Sequence, residues 1–273
     1  MSILNEHYIF RNGVKIPKIG FGTWQIPQES VTNAVLEAIE IGYRHIDTAL
    51  AYNNEKGVGA AIKRSELDRS EIFITSKLPA EIKGYDEALY SFEKTMSNLA
   101  LETLDLYLIH APWPWTEIGK NCTKENIESW RAFERIYKEG RVRAIGVSNF
   151  SVSDLMAIEN NSDTPPMANQ IAFYAGRTQE EIFNYCTSKG TLIEAYSPLA
   201  TGRALKDTLL NEIAKTYDVS VAQLLIRFTL QRGALPLPKS VTKARIEENS
   251  KVDHFTISDT DMVKLSSIKN EYR

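Results

Sequence analysis

Eight short apolar runs punctuate this chain, and each is followed by a longer segment with helical periodicity. The runs are "KIGFG" (18–22), "YRHID" (43–47), "IFITSK" (72–77), "LDLYLIH" (104–110), "VRAIGVS" (142–148), "MANQIAF" (167–173), "TLIEAYS" (191–197) and "ALPLPKS" (234–240). Between them, Leu89, Phe92, Met96 and Leu99 recur at steps of three and four, one face of a helix. Ile127, Trp130, Phe133 and Ile136 repeat the pattern. Gly42, Gly140 and Gly190 follow helical segments, where a C-terminal cap is expected. Near-continuous apolar strands separated by helices imply a parallel sheet covered by helices. Eight such units predict a closed (β/α)8 barrel, a fold that takes about 250 residues. The 273 residues hold no Pro/Gly/Ser-rich linker, so one domain over 1–273 is expected. A doubly wound open sheet is the competing architecture. The eighth run is the weakest strand, because Pro236 and Pro238 lack amide donors. Ahead of the first run, "YIFRNGVKIP" reads as an N-terminal β-hairpin, with Asn12-Gly13 suited to a type I′ turn.

A formal net charge of -3 argues against a dedicated nucleic-acid or membrane-surface protein, while leaving room for a local basic patch. No apolar run is long enough to span a bilayer. The start, "MSILNEHYIF", lacks the basic and apolar regions of a signal peptide. Cys122 and Cys186 form no CxxC and are expected as free thiols in a reducing, cytoplasmic setting.

Barrels of this kind carry their active sites at the C-terminal ends of the strands. Those ends here are Asp47, Lys77 and His110, with Tyr52 in the loop after the second strand. Opposite charges at neighbouring strand ends can satisfy each other away from water. A structural ion pair at the rim is one outcome, and a functional pair is the other. Tyr52 favours the second. A phenol ordinarily titrates near 10, and a nearby ammonium is expected to lower that value. Tyr52 would then serve as a general acid and base. His110 can orient a carbonyl oxygen, or it can be an ordinary core histidine. The set suits carbonyl reduction. The hydride must come from a nicotinamide cofactor, since no side chain supplies one.

The Rossmann fingerprint is absent. "GVGAAI" (57–62) imitates two of its glycines, but Ile62 stands at the third and a polar loop precedes it. Small residues inside a helix explain it better. A different phosphate site is visible in "LPKSVTKARIEEN" (237–249), after the eighth strand. Lys239, Ser240, Thr242 and Arg245 supply two cations and two hydroxyls, which suits the 2′-phosphate of NADPH. A capped helix with solvated charges is the plainer alternative.

With these residues in place the chain resembles the aldo-keto reductases, with bacterial members similar to 2,5-diketo-D-gluconate reductase as the nearest subgroup. "GYRHIDTALAYNNEKGVG" (42–59), "RAIGVSNF" (143–150) and "LPKSVTKARIEEN" carry the likeness, which runs the length of the chain. The resemblance implies an NADPH-dependent reductase of aldehydes and ketones, with Asp47, Tyr52, Lys77 and His110 as a catalytic tetrad. It further implies that Ser148, Asn149 and Gln170 hydrogen-bond the nicotinamide carboxamide and that Tyr196 stacks on the ring. Gly22 and Thr23 would approach the cofactor, and Ser197 and Leu199 would line its diphosphate. Lys239, Ser240, Val241 and Arg245 would hold the 2′-phosphate, with Glu248 and Asn249 at the adenine. The resemblance also leans towards a monomer or weak dimer.

The chain departs from the family pattern in three places. Ala111 follows the histidine where a tryptophan is frequent. Ala172-Phe173-Tyr174-Ala175 replaces a Glu and a His-Pro. Ala200 stands where glycine is common. The first two lie near the expected substrate mouth and bear on preference more than on the reaction. A short tail after "ISDTDMVKLSSI" suggests a more open site that admits several aldehydes and ketones, with a small-molecule carbonyl compound as the expected partner. Trp24, Trp113 and Trp115 are expected in the pocket wall beside His110, although such rings also pack loops together. Among rivals, a metal hydrolase lacks HxH or HxxxH spacing among His7, His45, His110 and His254, and no metal is expected. A glycosidase could use Asp47 and Glu194, but would leave Lys77 and Tyr52 without a purpose. An NADPH-binding sensor or auxiliary subunit with little turnover is the alternative from another class.

Overall fold

The apolar runs become strands in a computed structural model that describes residues 2–269 and 272. In chain order these are β3 (Phe21–Gly22), β4 (His45–Asp47), β5 (Phe73–Leu78), β6 (Leu104–Ile109), β7 (Val142–Ser148), β8 (Ala168–Ala172), β9 (Leu192–Tyr196) and β10 (Leu235–Leu237). Each pairs in parallel with the next. The seam between first and last closes through Gly20 N to Pro236 O (3.1 Å) and Gly22 N to Pro238 O (3.0 Å). The prolines are therefore tolerated for a stated reason. The amide and carbonyl of a strand residue face the same neighbour, so Pro236 and Pro238 lose only bonds returning to β3. The fold is the (β/α)8 barrel.

Helices α1 (Gln28–Ile41), α2 (Glu55–Arg64), α3 (Tyr85–Leu99), α4 (Thr123–Lys138), α5 (Val152–Glu159) and α6 (Glu180–Lys189) follow the first six barrel strands. Two helices, α7 (Thr208–Thr216) and α8 (Val221–Gln231), fill the connection to β10. Beyond it come α9 (Lys243–Ser250) and α10 (Asp259–Ser266). The expected faces are the buried ones. Phe92, Met96 and Leu99 of α3, and Trp130, Phe133 and Ile136 of α4, pack into the layer between helices and strands. "GVGAAI" lies within α2, where Gly57 abuts Val31 and Gly59 abuts the Leu99 backbone. Those glycines serve helix packing. Among the described residues no helix is long and apolar enough to cross a membrane. Cys122 and Cys186 are buried free thiols. The expected short tail falls partly on residues 270, 271 and 273, outside the described residues.

The N-terminal hairpin is present as β1 (His7–Ile9) against β2 (Lys15–Pro17). Its turn is not type I′. Gly13 N bonds Phe10 O at 2.8 Å, Phe10 N bonds Val14 O at 2.9 Å, and Gly13 has positive φ (84°) while Asn12 does not. This is a three-residue loop with glycine in the left-handed position, the next most common hairpin class. The extra residue turns Phe10 inward. Phe10 and Ile16 join Phe73, Leu106, Leu108 and Leu235 in a second apolar cluster that stops the N-terminal end of the barrel. Burial of each such side chain is worth about 1.5–3 kcal/mol. The opposite end is left for polar groups.

Candidate active site

Four side chains converge at the C-terminal end. Asp47 ends β4, Lys77 lies one residue before the end of β5, and His110 follows β6 directly. Tyr52 arrives on a short helical turn, Leu50–Tyr52, just after β4. Lys77 is fully buried, and its Nζ donates to both oxygens of Asp47 and to the Thr48 carbonyl, each at 2.8 Å. Three protons thus meet three acceptors, which makes burial of the ammonium tolerable. Burial is the largest single influence and opposes its charge, yet Asp47, Tyr52 and Glu194 together hold the ammonium above its usual range. Nζ sits 5.0 Å from the centre of the Tyr52 ring. Tyr52 in turn meets His110 edge to face, with centroids 5.6 Å apart.

The electrostatics revise one expectation. Burial pushes the Tyr52 phenol up to about 12, Lys77 pulls it back only in part, and Asp47 adds to the rise. The ammonium moderates the phenol without making it acidic. Tyr52 therefore keeps its proton at neutral pH, the form a proton donor requires. Burial, with Lys77 and Lys83 nearby, drives His110 down to about 3. Its imidazole is neutral and can donate one hydrogen bond. His45, at the start of β4, is fully buried against Thr75 Oγ1 at 2.9 Å and is a core residue.

Beside the pair runs a buried polar relay that the sequence did not reveal. Gln170 Nε2 donates to Asp47 Oδ2 (2.8 Å) and to Glu194 Oε2 (2.9 Å). Both amide protons are spent, so Gln170 can offer an outside group only its oxygen. Ser148 Oγ donates to the Gln170 carbonyl (2.8 Å), and Asn149 Nδ2 to the His110 carbonyl and to Ser148 Oγ (3.0 Å each). Asn149 Oδ1 accepts from the Tyr196 hydroxyl at 2.8 Å. A carboxamide can thus donate to Gln170 Oε1, and to Asn149 once Tyr196 releases it.

Asp47, Tyr52 and His110 open on a cavity of about 1260 Å3. Gly22, Trp24, Ser148, Asn149, Gln170 and Tyr196 line the end near them. Ser197, Leu199, Lys239, Ser240, Val241, Arg245, Glu248 and Asn249 also line the cavity. Two expected residues stand elsewhere. Thr23 is fully buried, and its Oγ1 donates to the Asp47 carbonyl (3.0 Å), so it braces the floor. Trp113 borders an adjacent cavity of about 380 Å3, which shares Trp115, Asn149 and Tyr196 with the larger one. Residues of α7 and the turn before α8, among them Asn211, Lys215 and Ser220, complete the larger wall. Nothing in their spacing distinguished them, because they belong to an inserted helix that only folding brings alongside. Ala200 adopts φ 48°, which explains the preference for glycine there.

The donor set fits a phosphorylated dinucleotide. The lining combines cations and hydroxyls (Lys215, Lys239, Arg245, Ser240, Thr242) with the amide-bearing groups Asn149 and Gln170. Comparison with known proteins agrees. The model for the Aldo/keto reductase family matches residues 18–270. A glyoxal reductase from Bacillus subtilis is 43% identical, over 99% of this chain and 95% of its own. A crystal structure of an aldo/keto reductase from Brucella melitensis has a TM-score of 0.90 at 39% identity, covering 96% of this chain and 98% of that one. A Bombyx mori aldo-keto reductase in complex with NADP has a TM-score of 0.90 at 30% identity, over 98% and 94%.

Proposed function

The chain belongs to the aldo/keto reductase family, and on that premise we propose how its residues divide the work. It is an NADP-dependent oxidoreductase that reduces aldehydes and ketones to alcohols. When bound, NADPH supplies the hydride. Tyr52 is the proton donor to the carbonyl oxygen. A newly formed alkoxide is more basic than a phenol near 12, so the transfer runs downhill. Lys77 carries the compensating positive charge for the phenolate that remains, and Asp47 holds Lys77 in register. Neutral His110 donates a hydrogen bond that orients the carbonyl. Gln170, Ser148 and Asn149 take the carboxamide, and Tyr196 supports the ring. Ser197 and Leu199 flank the diphosphate. Lys239, Ser240, Val241 and Arg245 hold the 2′-phosphate, with Glu248 and Asn249 towards the adenine. Trp24, Trp115 and His110 wall the substrate, and Trp113 borders its outer side.

The observation that carries this reading is the buried Lys77–Asp47 pair beside Tyr52, at a cavity whose lining also includes Lys215, Lys239 and Arg245. Relatives at this identity include one named for glyoxal, so the diketo-gluconate subgroup is not carried forward. Cytoplasmic residence, one domain over 1–273 and a monomer or weak dimer complete the proposal; sedimentation of the purified protein tests the last. The central test is NADPH absorbance against a panel of aldehydes, α-keto acids and diketones. Oxidation with several of them is expected. Silence with all of them would favour a cofactor-binding sensor. Arg245→Ala should weaken NADPH by about 10- to 100-fold and NADH far less, since only NADPH has the extra phosphate. Equal losses would point to damaged folding instead.

A further inference from the structure

The smaller cavity beside the site is lined by a half-buried arginine. Arg177 lines it, its Nε is buried without a hydrogen-bond partner, and no carboxylate of the described residues pairs with it. Several arginines elsewhere are paired with carboxylates. Arg232 pairs with Glu180, Arg141 with Glu93, and Arg69 and Arg143 with Asp105. A buried guanidinium edge left unsatisfied costs free energy unless a ligand completes it.

The position is held by the backbone. After β8, Tyr174 and Arg177 close a tight turn, with Arg177 N to Tyr174 O at 2.8 Å and Tyr174 N to Arg177 O at 3.2 Å. This turn begins within the stretch where the sequence leaves the family pattern, Ala172 to Ala175. The nearest polar neighbours cannot neutralise the cation. Gln179 is uncharged, and among the described residues no Asp or Glu lines the cavity. The remaining walls are apolar and aromatic, with Trp113, Trp115 and Ile182 among them.

The cavity also touches the chemistry. Asn149, Trp115 and Tyr196 belong to both cavities, and the Trp115 ring meets the His110 ring at 5.7 Å. A carbonyl held at Tyr52 and His110 thus has one tryptophan ring between it and the smaller space. Arg177 makes its charge felt at the Tyr196 hydroxyl, where it offsets part of the rise that burial causes.

We propose that Arg177 is a substrate-specificity residue that anchors a carboxylate on the far side of the substrate. The preferred class is then carbonyl compounds bearing an aromatic or apolar spacer and a carboxylate. This rests on the carbonyl-reductase reading of the same site. A planar guanidinium matches a carboxylate with two parallel hydrogen bonds, and the tryptophan walls suit the spacer. The carboxylate is gripped equally before and during hydride transfer, so the effect belongs in KM rather than kcat.

The test compares 2-, 3- and 4-carboxybenzaldehyde with their methyl esters, using NADPH as reductant. The wild-type protein should favour the acid over the ester at one ring position at least, and that position measures the span to Arg177. In Arg177→Gln the acid-to-ester ratio of kcat/KM at that position should fall by about 10- to 100-fold, through KM of the acid. Arg177→Lys should recover part of the ratio, as a charge without the fork. Acids and esters turned over with equal efficiency by the wild-type protein would overturn the inference and leave the reductase reading standing. So would a ratio unchanged in Arg177→Gln. No turnover of acids, esters or any other aldehyde would overturn both.

Discussion

At the N-terminal end of the barrel wall, Asp105 accepts from Arg69 (2.6 Å), from Arg143 (2.7 Å) and from the Ile74 amide (2.8 Å). At the C-terminal end, Asp47 accepts twice from Lys77 and once from Gln170. Both carboxylates are buried and fully bonded, so satisfaction alone does not separate structure from function. What differs is the surroundings. Asp105 draws on two arginines that still reach solvent, and its charge is over-compensated. Asp47 shares one buried ammonium with a second carboxyl, Glu194, and a phenol, and it opens on the cavity. Charge at the first end is spent on holding strands together. Charge at the second end is balanced narrowly enough for a proton to matter.

The largest expected effect lies at the open end. Tyr52→Phe should lower kcat by about 10³-fold or more while NADPH still binds, as followed by fluorescence titration. Turnover close to wild type would erase the proposed contrast. The closed end should respond in the opposite way. Asp105→Asn is expected to cost about 2–4 kcal/mol in urea denaturation and leave kcat per folded molecule intact. A large loss of kcat at full stability would show that the two ends are coupled.

The smallest effect sharpens the comparison through pH. Burial, helped by the Asp47 charge, raises the Glu194 carboxyl from 4.5 to about 8. The folded protein therefore holds that proton across a window in which the unfolded chain has released it. Stability should decline as pH rises through that window, because the native state binds more protons there. Glu194→Gln, which mimics the neutral acid, should lose this slope. Its stability relative to wild type should grow from pH 5 towards pH 8, measured by denaturation at each pH. Parallel profiles would mean that Glu194 is already ionised.

Much of the site was readable because barrel strands are short and end on the same rim. Asp47 and Lys77 could be paired by counting strands, and His110 followed from the third of those ends. The hairpin turn differs from the type I′ expectation, since Asn-Gly supports more than one loop and the loop found goes with Phe10 packed into the barrel end. Trp113 lines the neighbouring cavity, which shares Trp115 with the larger one, a division that residue order does not show. The Gln170 relay joins Asp47 to a residue 123 positions away, and no local signal records such a contact. The Tyr52 phenol was expected below its ordinary value because the sequence shows the neighbouring charge and hides the desolvation.

The sequence by itself determined the order of strands and helices, the barrel they close and the residue types at its rim, because periodicity and strand ends are local properties. Only the tertiary structure decided how far Lys77 offsets burial at Tyr52, that Gln170 faces Asp47, and that Arg177 lines a cavity to which no carboxylate of the described residues contributes. Those outcomes depend on distance and water exclusion between residues far apart in the chain, which the order of residues does not record.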